Sequence, residues 1–551
     1  MLHKHISTSW MGGFHILSGG GGSAMPSIKV AGFAPRCRES GLVRIAVLCL
    51  CLLFIVATPA WPQGSVGSFA TFEVSGGGTG VMQGAVCFGI NAVGVVTGMY
   101  EDPNSDFHGF VRTTDGAITP FDAPDAYPSA NGGTYPFSIN AGGIITGMYN
   151  TENGSQHGFV RAADGTIAEF DVPGAGTTTN RGTNPISINS AGEITGTYTD
   201  KNSVWHGFLR TADGKIATFD APGAGTGLKL GTQPISINSA GVITGNYEDA
   251  SYVRHGFIRA ANGTFTAPID APGAGTSGGG TKASNAVGTM PFSINTAGDI
   301  TGVYSDGEGG AHGFVRTAEG VISTFDAPGV GTTGKLRGTL PVSINTAGDI
   351  TGFYMDASEV LHGFVRSADG TITPFDAPGA GTAGTSLLPG SGGISINDLG
   401  VITGAYADAS GAFHGYVAQF TVAPQGQVSN LQNTVEDLVS AGTLSPGHGQ
   451  FLLAPLNGAL AALGPASDSA ALAASDPGRA DVALPKLHDS AGAAAEQIVT
   501  NRGHAEAAIR DLQEFIGRVQ LLMLSRQLNH ADGGTLIDAA KSIIGTLRSE
   551  P

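Results

Sequence analysis

The sequence predicts a mainly β fold, a seven-bladed β-propeller of four-stranded antiparallel blades, followed by a small all-α C-terminal domain. Three observations predict it. One motif recurs seven times at a period of about fifty residues. Each copy divides into four short strand patterns separated by hairpin-turn residues. The segment before the first copy supplies a strand pattern that the last copy lacks.

Residues 1–63 read as a signal-peptide region. The apolar run Ile45–Thr58 follows Lys29, Arg36, Arg38 and Arg44 and precedes TPAWPQG. A basic stretch, an apolar core and a small-residue cleavage zone, in that order, make a secretory signal. The run is short against the roughly twenty residues of a spanning helix, so no stable membrane anchor is expected. Leu48 before Cys49 lacks the small side chain of a lipoprotein cleavage site. Met25 opens the more ordinary signal and is the expected true start. The expected location is secreted, periplasmic or at the cell surface.

Export changes the charge. Residues 1–63 hold five of the 27 Lys and Arg and one of the 44 Asp and Glu. The remainder has 22 basic and 43 acidic residues, a net charge of −21. Such a surface disfavours nucleic acid and anionic membranes. Cys37, Cys49 and Cys51 fall in the targeting region, so Cys87 alone remains and no internal disulfide forms.

Residues 64–424 are assigned to the repeats. Each reads S-I-N-x-x-G-x-I-T-G-x-Y, then His-Gly-Phe, then an Asp-Gly turn, then Phe-Asp-Ala-Pro-Gly, with small departures and a truncated last copy. The turn Asn residues are Asn91, Asn140, Asn189, Asn238, Asn295, Asn345 and Asn397. In every copy a Tyr follows nine residues later: Tyr100, Tyr149, Tyr198, Tyr247, Tyr304, Tyr354 and Tyr406. In every copy a His follows eight after that: His108, His157, His206, His255, His312, His362 and His414, which number repeats 1 to 7. From His to the Asp of Phe-Asp is 14 residues, or 15 in repeat 4, where Ile269 precedes Asp270. Length varies chiefly in the glycine-rich stretch after Pro-Gly, which makes it the connection between blades. Asn-x-x-Gly, Asp-Gly and Asn-Gly mark tight hairpins. Residues 68–80 match a fourth strand with Glu73 in the Asp place, whereas repeat 7 stops at FHGYVAQFTVAP. That exchange predicts a ring sealed by pairing residues 68–74 with the His414–Phe420 strand.

This repeat resembles the bacterial HAF-type extracellular repeat family, in which an I-N-x-x-G turn precedes a His-Ala-Phe strand and a later Asp-Leu-Gly. Here the strand reads His-Gly-Phe and the later element Phe-Asp-Ala-Pro-Gly, over roughly residues 68–421. The resemblance implies an exported β-repeat protein without an assigned reaction.

Residues 425–551 turn rich in Ala and Leu. Leu431, Val435, Leu438 and Val439 keep helical spacing, with Ser429 and Asn430 as caps. Further helices are expected at about 447–463, 490–500, 503–527 and 533–548, around a flexible insertion at 464–488. Ile509, Leu512, Ile516, Val519 and Met523 form one apolar face, read as core. The text LQNTVEDLVSAGTLSPGHGQFLLAPLNGALAAL, then AAIRDLQEFIGRVQLLMLSRQLNHADGGTLIDAAKSII, resembles the FIMAH domain. That implies an accessory or attachment role.

Chemistry is less legible. The seven His could form a ring of ligands or bases, but a residue present in every copy marks no unique site. One structural hydrogen bond per blade, to a nearby Asp or backbone group, is the expected role. The Asp of Phe-Asp lacks calcium-loop spacing and reads as a turn residue, and the Tyr series as packing between blades. Cys87 reads as a buried, inert thiol. PGAGTSGGGT lacks the Lys-Ser/Thr ending of a phosphate loop. No catalytic residue, metal ligand or cofactor site is assigned, and the binding residues are unknown. An acid or His confined to one blade and facing the central opening would favour an enzyme; the motif scan singles out none. The expected binding face carries the second-to-third and fourth-to-first loops. It holds residues 273–290, Lys229, Lys335, Arg337, Trp205, Tyr252 and Arg254. The first expectation is an exported non-catalytic binding or surface-interaction protein whose partner is an extracellular ligand, glycan or protein. An extracellular lyase or hydrolase with its site on the propeller loop face and a structural envelope protein are the alternatives.

Overall fold

The computed structural model describes residues 65–128, 132–266, 268–276, 287–331, 338–368, 370–382, 389–421, 424–440, 442–463 and 486–549. The expected signal region and nearly all of the 464–488 insertion lie outside them. The described chain is mainly β, with 27 strands in two large sheets, followed by four helices.

The first repeat shows the plan. Strands β2 (Gly84–Ile90), β3 (Val96–Glu101), β4 (Phe107–Arg112) and β5 (Ile118–Phe121) pair in sequence order, each antiparallel to the last. The register explains the fixed offsets, because Tyr100 lies directly opposite His108. The same pairing recurs in all seven copies. In repeat 4 the outer strand is reduced to bridges Gly256↔Ile269 and Arg259↔Phe265. The extra residue that lengthens the His255–Asp270 interval falls between those bridges.

The predicted exchange is present. Strand β1 (Ser65–Phe72) pairs antiparallel with Phe413–Thr421, with Phe72 opposite Gly415 as Phe121 is opposite Gly109. The last repeat thus takes its outer strand from the start of the described chain.

Neighbouring repeats are joined at their inner strands. Each inner strand opens on or just after a glycine that meets the third strand of the previous repeat in parallel, as Gly84 meets Phe413, Gly231 meets Trp205 and Gly133 meets Phe107. A Cβ on Gly231 would lie 1.9 Å from the Trp205 carbonyl oxygen, at φ +130°. Only glycine permits that approach. At the other end of the inner strand the turn asparagines form a cycle. Asn91 Nδ2 donates to the Asn140 carbonyl at 3.2 Å, and so on through Asn189, Asn238, Asn295 and Asn345 to Asn397. Asn397 Nδ2 donates back to the Asn91 carbonyl at 3.0 Å, which closes the cycle across the whole repeat region. Each Asn Oδ1 also accepts the N–H four residues on, and in repeats 4 and 7 the N–H two residues on as well, so the side chain closes its own turn. The Ser before each Ile-Asn accepts the next repeat's Ile N–H at six junctions. Repeat 1 has Gly89 in that place. Arg guanidinium groups lie over the outer-strand Phe of the preceding unit, as Arg112 over Phe72 and Arg161 over Phe121.

The helices are α1 (Pro424–Ser440), α2 (Pro446–Leu463), α3 (Lys486–Leu524) and α4 (His530–Ser549). Helix α1 opens on Pro424, where a missing N–H costs nothing, so Ser429 and Asn430 lie inside it and do not cap it. The two helices expected at 490–500 and 503–527 are one. Gly503 costs about 1 kcal/mol in helix propensity. The burial of Leu512, Phe515 and Val519 outweighs that. Leu512 and Val519 of the expected face are buried with Leu431, Val435 and Leu438, while Ile509, Ile516 and Met523 pack at the margin. Val93 from the first Asn turn is buried in this same helical core, and Val95 and Leu399 pack against it. No described helix is long and apolar enough to cross a membrane.

Candidate functional site

The repeated histidines are held at both ring nitrogens. Nδ1 meets the Asp of Phe-Asp at 2.9–3.0 Å in the first six repeats. In the seventh, His414 Nδ1 meets Glu73, delivered by β1. Nε2 faces a second carboxylate, from Asp102, Asp200, Asp249, Asp306, Asp356 or Asp408, at 3.2–4.0 Å. Repeat 2 has Thr151 at that position, and Ser155 Oγ takes the place of the carboxylate at 2.9 Å. The second Asp also builds the turn: Asp408 Oδ1 accepts the N–H groups of Ser410 and Ala412. The Phe-Asp carboxylate therefore anchors a histidine, a more specific role than the turn expected for it.

The tyrosines stack on these histidines within their own repeat, with ring centroids 4.8–5.4 Å apart. They also pack with an Ala from the previous repeat, as Tyr149 with Ala123 and Tyr247 with Ala221. The hydrogen bond that His108 donates to Asp122 raises the His108 pKa above 6.5, against the opposing effect of burial. Burial lowers those of His312 and His414, but their two carboxylates outweigh it and the net shift is upward. Cys87 is fully buried, which pushes its thiol up to about 11.

The Asn cycle surrounds a cavity of about 230 Å³, lined by the Ile-Asn pairs and the residue that follows each Asn. That following residue is Ala92, Ala141, Ser190, Ser239, Thr296, Thr346 and Asp398. Asp398 is thus the acid present in one repeat alone at the central opening, at a position that the repeat motif leaves open. A comparison of this one turn position across the copies reveals it. Its carboxylate accepts the Thr346 N–H at 2.7 Å and the Thr346 hydroxyl at 3.1 Å. Burial, against these hydrogen bonds, lifts its pKa to about 6. Among the described residues no group of three or more His, Cys, Asp or Glu is placed to hold a metal ion.

The second-to-third and fourth-to-first loops share the opposite face, as expected: Lys229 N–H donates to Ser203 O, and Met82 N–H to Gly411 O. Lys229 is exposed there at φ +57°, and Tyr252 half-buried at φ +62°. Arg254 is not available to a ligand. It is buried in an ion pair, Nε to Glu248 Oε1 at 2.8 Å, and touches Met290. Trp205 is half-buried and hydrogen-bonds through its backbone to Leu230. Lys335, Arg337 and residues 277–286 lie outside the described residues. Three apolar side chains that the sequence reading passed over stand out from these loops: Val81, 58% exposed, Tyr127, 41%, and Leu228, 65%.

No family model matches the sequence, and no curated protein matches it. Solved structures similar to the chain include the BP39L lectin from Burkholderia pseudomallei, with 10% identity, a TM-score of 0.40, and 58% of this chain and 91% of that one covered. The Aleuria aurantia lectin bound to Fucα1-6GlcNAc aligns at 12% identity and a TM-score of 0.31, over 56% and 96% of the two chains. An ulvan lyase, a polysaccharide lyase bound to a GlcA(1-4)Rha3S saccharide, aligns at 11% identity and a TM-score of 0.35, over 62% and 95%. None of the three reaches a TM-score of 0.5.

Proposed function

We propose that the repeats form a seven-bladed β-propeller of the HAF type joined to a FIMAH-like helical module. In this reading the protein is exported and acts as a non-catalytic binding protein that takes an extracellular glycan on its loop face. The closed cycle of seven asparagines supports the blade count. The signal-like order of residues 29–64 supports export. One observation carries the binding reading. The repeated residues hold the ring, whereas three of the four exposed large apolar side chains among the described repeat residues, Val81, Tyr127 and Leu228 but not Val321, stand on the loop face. Exposed apolar groups on rigidly held loops mark contact surfaces. The acidic surface turns away polyanions, which leaves neutral glycans as the fitting partner.

The test is a glycan array probed with residues 64–551. Binding to neutral glycans that weakens in Leu228→Asp or Val81→Asp is the expected result. An array without a single hit sinks the reading.

A second reading, an enzyme, is favoured by Asp398 alone, a buried acid with a raised pKa in an axial cavity. Turnover of a polysaccharide that Asp398→Asn abolishes, with folding intact, would establish it.

A further inference from the structure

The loop joining repeats 1 and 2 departs from the others in a coordinated way. The other six such loops have glycine at two positions, as in Gly174 and Gly176 or Gly223 and Gly225; here they are Asp125 and Tyr127. At the first position those glycines lie at φ +84° to +95°. Asp125 does not adopt the left-handed region. The turn is closed in both cases by the same bond, Ala126 N–H to Ala123 O here and Ala224 N–H to Ala221 O there. A left-handed third residue defines one turn type and a right-handed one the other, and the two differ by a flip of the central peptide. The Asp125 N–H is thereby turned to Glu169 Oε1, which accepts it at 3.1 Å. Glu169 is itself a departure, standing where other outer strands have Pro120, Thr218, Thr324 or Pro374. With burial, it also helps to push the pKa of the buried Tyr149 hydroxyl upward.

At the second position the backbone bond is kept: Tyr127 N–H donates to Asn150 O at 2.9 Å, as Gly225 N–H does to Glu248 O. A Cβ on Gly225 would lie 2.8 Å from Leu230, and one on Gly176 would lie 2.9 Å from Arg181. A large side chain has therefore been admitted at a place that other copies keep closed. It is not buried, and Pro128 follows it.

We propose that Tyr127, Asp125 and Glu169 form a subsite for one neutral, hydroxyl-rich sugar residue. This rests on the loop-face glycan reading and names its anchor. The electron-rich face of Tyr127 takes the C–H face of the sugar ring, and the two carboxylates accept its hydroxyl hydrogens. A fixed backbone holds the aromatic ring before the ligand arrives, which lowers the ordering cost of binding.

The experiment titrates residues 64–551 with neutral hexose, 6-deoxyhexose and N-acetylhexosamine oligosaccharides, with tetramethylammonium chloride as a cationic control. Tyr127→Ala is expected to weaken sugar binding about tenfold or more, and Tyr127→Phe to leave it within about threefold. Glu169→Gln, a second variant at a separate position, is expected to weaken it several-fold with an unchanged melting temperature. Wild-type affinity in both Tyr127→Ala and Glu169→Gln overturns the subsite and leaves the loop-face reading standing. Wild-type protein that binds no sugar overturns that reading and the subsite with it. Binding of the ammonium ion alone, lost in Tyr127→Ala, overturns the sugar assignment.

Discussion

Each repeated histidine joins three strands, because its ring lies between a carboxylate from the fourth strand and a group from the turn after the second, a carboxylate in six repeats and the Ser155 hydroxyl at His157. At His108, His312 and His414 the carboxylates favour charge on the ring, and the sign of the pH effect follows. For His108, His312 and His414, whose folded pKa values are raised, the stabilisation is complete below about pH 6.5 and fades as pH rises through the folded values. For Asp408, held down to about 2 by Ser410 and His414 against the upward push of burial, it is present above about pH 3.8 and fades as pH falls toward 2. The pairs therefore stabilise most between about pH 4 and 6.5. Melting temperature should fall from pH 6 to 9, and His312→Gln with His414→Gln should flatten that slope. A double variant that parallels the wild type would refute the account. Asp398 has the opposite consequence among carboxylates: its folded pKa is raised from 3.8 to about 6, so stability is lost as pH rises between those values and stays lost above them. Asp398→Asn should stabilise the protein at pH 8 by roughly 2 kcal/mol, with the gain vanishing below pH 4. An unchanged or lower stability at pH 8 would show that the lost acceptor at Thr346 outweighs the charge. The histidines were legible in the sequence because they never vary. Their second carboxylates were not, because a turn such as EDPNSD looks like any polar turn until its Asp is seen to reach the ring.

At the scale of elements, β1 is the piece on which the ring depends. Without it the Phe413–Thr421 strand presents an unpaired edge, His414 loses Glu73, and Phe72 leaves the side of Gly415. Deletion of residues 64–75 should lower the melting temperature by several degrees and promote association through the bare edge, measured by calorimetry and light scattering. A deletion variant as stable and as monodisperse as the parent would show that β1 is dispensable. The helices teach a different lesson. Periodicity found them, but the expected separation of 490–500 from 503–527 does not exist, since burial further along α3 outweighs the cost of Gly503 in one continuous helix. The outer strand of repeat 4 errs the other way: its pattern predicts a strand, and one extra residue reduces it to bridges.

At the scale of the molecule, the helices attach where the ring closes. The third turn position is Val93 in repeat 1 and Leu399 in repeat 7, against Gly142, Ala191, Ala240, Ala297 and Ala347 elsewhere. Those two large side chains pack with the helical core, on the turns that flank the Asn397–Asn91 bond. The helices therefore act as a latch over the seam. Val93→Asp with Leu399→Asp should uncouple helix melting from ring melting and lower the ring's midpoint. A single unchanged transition would argue against a latch.

By itself, the sequence determined the repeat, its four strands, the exchange of the outer strand and the identity of the anchoring Asn, Tyr and His. All of these follow from local periodicity and from offsets fixed by antiparallel register. Only the tertiary structure decided what the departures from the repeat mean. Asp125 and Glu169 are 44 residues apart and meet because consecutive repeats lie side by side. Asn397 and Asn91 are 306 apart and meet because the cycle closes. Arg254 reads as an available charge in the chain and is instead spent on a buried partner. Contacts of that kind depend on which surfaces the packing presses together, and no spacing along the chain encodes them.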